Sequence, residues 1–253
     1  MLDLFTSLRP RLNRISHAKA LGLDGLQWLA LTVFFAASLF TVGVASANSN
    51  HSKGLLLVSF GQNLSWSTSS NIHFEGPGYD FTLHDVDGHD DIQFDYRPDR
   101  TQYVIRAHYY WADDYFVGFG MNHMKYIIDS QWVRMTGEVS SDVSDTYAGI
   151  YDEQVHIGED GDIISIYEHT DGVNFYDFEL GTTRTAWASD DVAHALTLSA
   201  SASLGFLFPR TEVRALGQGT NQPYRVSGFG LSGSALIRYH YQDLFFVDFG
   251  LKG

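Results

Sequence analysis

Leu196-Thr-Leu-Ser-Ala-Ser-Ala-Ser-Leu-Gly-Phe-Leu-Phe208 decides the fold. Leu196, Leu198, Ala200, Ala202, Leu204, Phe206 and Phe208 are all apolar, and the residues between them are small or polar except Leu207. Successive side chains of a strand point to opposite faces. The segment is therefore a strand with one greasy face and one small, polar face. The same period of two runs through Phe229–Tyr241, Phe245–Leu251, Tyr103–Trp111 and Val58–Trp66. A composition of 15% aromatic residues with 24 Gly and only 5 Pro also favours strands and turns over helices.

In a soluble sandwich the greasy face is the core, whereas in a membrane barrel it meets lipid and the polar face is enclosed. Three features favour the membrane. The alternating segments are long enough to cross hydrocarbon when tilted. Aromatics cluster at strand ends, as in Tyr109-Tyr110-Trp111, Tyr115-Phe116 and Tyr239-His240-Tyr241, where interfacial girdles sit. Short connections (Ala112-Asp113-Asp114, Gln242-Asp243) alternate with long ones (128–147, 209–224), as between the periplasmic and outer ends of a barrel. The reading is an all-β, transmembrane antiparallel β-barrel of about 10–12 strands in the full-length protein. Region 67–100 resists parsing. On this topology Arg106, His108, Arg238, Asp248 and Lys252 face the interior. The chain ends Leu251-Lys252-Gly253 without the terminal aromatic usual for such barrels, so closing strands are expected beyond residue 253.

Residues 1–25 are polar and basic, and an apolar run from Leu26 ends at Ala45-Ser46-Ala47. This is the pattern of a signal peptide, with a helical h-region and cleavage after Ala47. An uncleaved membrane anchor is the competing reading. Two domains follow: a signal peptide over 1–47 and a barrel domain over 48–253. Export of this kind expects a Gram-negative outer-membrane location, with outer-membrane lipid, lipopolysaccharide and the barrel-assembly machinery as partners. Four of the 16 basic residues and two of the 30 acidic ones precede residue 48, so the remainder carries 12 basic against 28 acidic groups. Such a surface repels phosphate backbones and argues against nucleic-acid binding. Absence of cysteine excludes disulfides and thiolate metal sites.

Four stretches share a further pattern: Gly78-Tyr-Asp-Phe-Thr-Leu-His-Asp-Val86, Asn122-His-Met-Lys-Tyr-Ile-Ile-Asp129, Tyr167-Glu-His-Thr-Asp-Gly-Val-Asn-Phe-Tyr-Asp-Phe-Glu-Leu180 and Tyr224-Arg-Val-Ser-Gly-Phe-Gly-Leu231. Together they resemble a family of uncharacterised Gram-negative outer-membrane β-barrel proteins. The resemblance spans nearly all of residues 48–253. It implies a fold and a location, and brings no activity.

Two constellations could carry chemistry. His123 with Lys125, and Glu168, His169 and Asp171, are expected near the outer ends of two strands. A histidine base with carboxylates at that rim is what a lipid A or phospholipid hydrolase needs. Glu168-His169-Thr170-Asp171 resembles the His-x-Ser-Asn stretch of lipid A deacylases, with Asp171 where the nucleophilic serine would stand. The second is His84-Asp85-Val86-Asp87-Gly88-His89-Asp90-Asp91, which offers His84, Asp85, Asp87, His89 and Asp90 to a divalent cation such as calcium. It departs from the EF-hand spacing, and an ordinary acidic loop is the plainer reading. Three functions follow: a non-enzymatic barrel or small-solute channel without cofactor, a rim lipid hydrolase, and a soluble periplasmic ligand-binding barrel. The first is favoured.

Overall fold

The computed structural model describes residues 34–44, 51–91, 102–242 and 245–253. Every regular element among them is a strand, and the described residues contain no helix. The sheets are antiparallel throughout. One sheet closes on itself. It consists of β1 (Phe34–Val44), β2 (Leu56–Ser67), β6 (Tyr103–Ala112), β7 (Tyr115–Met124), β12 (Val173–Ala188), β13 (His194–Pro209), β16 (Gly228–Tyr241) and β17 (Phe245–Lys252). The legible alternation thus maps onto the barrel strands. The barrel has eight strands, because the remaining nine lie outside it.

Short connections at one end join β6 to β7 and β12 to β13. At the other end the chain makes three long excursions, two of which sequence alone reads as loops and one of which it does not parse. They are built of strands. β10 (Gly149–Ile157), β9 (Gln131–Val139), β4 (Tyr79–Val86) and β3 (Ser70–Gly76) form one sheet. β15 (Gln218–Asn221), β14 (Glu212–Ala215), β11 (Ile164–Glu168), β8 (Ile127–Ile128) and β5 (Gly88–His89) form another. These strands cap the barrel, with their own apolar core of Phe81, Leu83, Val86, Met135, Ile157 and Ile164. Each such burial contributes roughly 1.5–3 kcal/mol. Within region 67–100, β4 escapes the alternation because Asp85 takes a left-handed backbone (φ 53°), which shifts the phase and buries Val86. Gly137 (φ 124°) serves a similar end in β9, where a Cβ would stand 2.2 Å from the Asp80 carbonyl oxygen.

Phe34–Val44, placed by sequence in the helical run of a signal peptide, is here the strand β1. It pairs with β2 on one side and β17 on the other, and so closes the barrel. Without it both neighbours would present unpaired N–H and C=O groups along a whole edge. The proposed cleavage site at Ala45-Ser46-Ala47 lies outside the described residues.

The barrel is polar inside and apolar outside. Phe229 and Leu180 are 80% and 60% exposed, while Asp177 and Asp248 are 0% and 1% exposed. Leu198, Leu204, Phe178, Leu231, Phe249 and Leu251 share the outer face. Ser59, Asn63, Thr183, Thr197, Ser199 and Ser203 share the inner one.

Candidate functional site

The lumen carries the densest charge. Arg106, His108, Arg238, Asp248 and Lys252 are all buried within it, as the alternation requires. Their partners include two residues that the sequence reading passes over, Asp177 and Glu179. The signal was present: both occupy the polar phase of Asn174–Leu180, opposite the outward Phe178 and Leu180.

Glycine makes these contacts reachable. Arg106, Gly120 and Asp177 lie level across β6, β7 and β12, and so do His108, Gly118 and Glu179. A Cβ on Gly120 would stand 2.5 Å from the Asp177 carboxylate, and one on Gly118 would stand 2.7 Å from the His108 ring. With no side chain on the middle strand, His108 Nε2 meets Glu179 Oε2 at 3.2 Å, and Arg106 Nε lies 3.7 Å from Glu179 Oε1. Lys252 crosses from β17 to donate to Glu179 Oε1 at 2.9 Å and to Asp177. Lower in the lumen, Arg238 grips Asp248 with two hydrogen bonds of 2.5 and 2.8 Å, and its guanidinium lies 4.1 Å from the centre of the Phe246 ring. Three cations face three carboxylates in this cluster. Pairing of this order is what makes buried charge tolerable.

The rim residues do not converge. His123 Nδ1 bonds Asn174 Oδ1 at 2.8 Å, and its ring stacks on Tyr103. Lys125 donates to Asp91 at 3.0 Å. Glu168 accepts from Thr170 at 2.9 Å, and Asp171 pairs with Arg210 at 2.9 Å. His169 meets Thr211 Oγ1 at 3.0 Å with Tyr126 and Tyr167 beside it, and burial pushes its pKa down to about 4. A neutral imidazole could accept a proton there, yet neither Glu168 nor Asp171 orients it.

The acidic loop is likewise dispersed. His84 bonds Thr136, Asp87 accepts from Ser69, His89 meets Asp129 at 2.5 Å, and Asp90 accepts from Ser65 and Gln102. The Asp85 N–H donates to Asn71, and the residue forms the bulge. Among the described residues no three His, Cys, Asp or Glu side chains gather in a metal-holding group.

Comparison with protein-family models, curated proteins and solved structures finds no match for this chain.

Proposed function

We propose that the protein is an outer-membrane β-barrel, closed to solute flow by its own ion pairs, that displays a strand-built cap outside the cell. The observation that carries this reading is the inverted barrel: apolar residues outward, paired charges inward. Water gives no reason to expose Phe229, Leu231, Leu180 and Phe178 on one continuous surface, and a hydrocarbon layer does. A barrel of eight strands leaves an interior that side chains can fill. In hydrocarbon a barrel tolerates no open seam, so some strand must lie between β2 and β17. Here β1 supplies it. Cleavage after Ala47 would remove that strand, so leader and eighth strand exclude one another in one mature chain. N-terminal sequencing of the membrane-extracted protein decides between them.

Planar-bilayer recording tests the closed lumen. The wild type is expected to show no steady conductance. Lys252→Ala with Glu179→Ala, which removes the charges spanning the lumen, is expected to give openings. Steady wild-type conductance would instead establish a channel, and recovery of the protein in the soluble fraction would favour the periplasmic ligand-binding barrel.

A further inference from the structure

The cap holds a constellation that sequence order conceals. Ser130 sits between β8 and β9, His156 one residue before the end of β10, and Asp162 in the turn leading to β11. Ser130 Oγ lies 3.5 Å from His156 Nε2, and His156 Nδ1 lies 2.9 Å from Asp162 Oδ2. Asp162 is itself held: its carboxylate accepts the Glu159 N–H at 2.8 Å, and its own N–H donates to the Glu159 carbonyl at 3.1 Å. Gly158 brings this turn against the serine. It has φ 95°, and a Cβ there would stand 2.8 Å from Ser130 Cα, so only glycine permits the approach. Ser130 is exposed, while His156 and Asp162 are partly covered.

We propose that Ser130, His156 and Asp162 form a nucleophile, a base and a positioning carboxylate that together hydrolyse uncharged carboxylic esters. A histidine with a carboxylate on Nδ1 and a hydroxyl facing Nε2 is the geometry that activates a serine. The hydroxyl also reaches Glu159 Oε1 at 2.8 Å. Catalytic hydrogen bonds are often long without substrate, and attack on an ester requires the hydroxyl to turn its proton from Glu159 to His156. In the first step a bond forms from Oγ to the carbonyl carbon and the proton passes to Nε2. The C–O bond then breaks, and the leaving alkoxide takes that proton. Water then gives a proton to His156 and bonds to the acyl carbon, the C–Oγ bond breaks, and His156 returns the proton to Oγ as the acid leaves. The Glu159 carboxylate beside Ser130 disfavours anionic substrates. Trp132, opposite His156 in the strand register with its ring 5.3 Å away and 68% exposed, offers a platform for an apolar arm.

The test uses the purified full chain in detergent and holds whether or not the barrel spans a membrane. A biotinylated alkyl fluorophosphonate reacts by forming an Oγ–P bond, with fluoride leaving and the proton passing to His156. Mass spectrometry is expected to find one adduct, on Ser130. His156→Ala should slow labelling at least about 100-fold, and Ser130→Ala should abolish both the adduct and hydrolysis of p-nitrophenyl butyrate. Asp162→Asn should lower kcat by about 10³-fold or more with KM little moved, because it disturbs the tautomer and not binding. Absence of the Ser130 adduct from wild type with intact strand circular dichroism would overturn the proposal. Equal labelling of wild type and His156→Ala would also overturn it.

Discussion

Leu180→Arg is expected to destabilise the protein by about 2–4 kcal/mol when it is folded in lipid vesicles and titrated with urea. Leu180 lies on β12, opposite Val117 of β7 and Ala202 of β13, near the middle of the apolar outer face. It is 60% exposed. Were that face in water, the same change would fall within about 0.5 kcal/mol, as most surface substitutions do. Ile150→Arg provides the internal comparison. Ile150 is more exposed than Leu180 and sits on the cap strand β10, so it should move stability by less than about 0.5 kcal/mol. Similar small effects at both positions would place the two surfaces in the same solvent.

Asp248→Leu is expected to cost about 3–5 kcal/mol, because it leaves the Arg238 guanidinium buried without its counter-ion. The two residues face one another directly in the β16–β17 register. Replacing both, as Arg238→Met with Asp248→Leu, should recover most of that loss, since no uncompensated charge then remains. Some deficit is expected to persist, because the guanidinium also packs over Phe246. Urea titration of the three chains reads the difference. A double variant as unstable as the single one would mean that the ion pair itself, and not relief of an orphaned charge, holds this end of the lumen.

The barrel was legible in the sequence because several of its strands keep a period of two over most of their length. Leu196–Phe208 and Phe229–Tyr241 bury one phase and expose the other along almost their whole length. The inward placement of Arg106, His108, Arg238, Asp248 and Lys252 followed from phase alone. The cap was not legible, for physical reasons. Its strands are short, and one bulge at Asp85 inverts the phase of β4 before it ends. Pairings such as β4 with β9 also join segments far apart in the chain, which no local pattern reports. The strand count suffered accordingly, because cap and barrel strands alternate along the chain. Hydropathy places Phe34–Val44 in a leader, and hydropathy does not distinguish an apolar helix from an apolar strand. The Ser130, His156 and Asp162 cluster was invisible for the opposite reason. Its members are close in sequence, yet a glycine turn and a cross-strand register are needed before the side chains meet.

The orientation of the barrel's two faces underlies all of this, and spin labelling reads it directly. The chain contains no cysteine, so single-cysteine variants along β13 require no prior removal of native thiols. Nitroxides at positions 198, 200, 202 and 204 of the protein in vesicles are expected to collide freely with dissolved oxygen and rarely with a water-soluble nickel chelate. Labels at positions 197, 199 and 203 should be shielded from both. High nickel accessibility at 198 and 204, equal to that of a label at Ile150 on the cap, would contradict the membrane assignment.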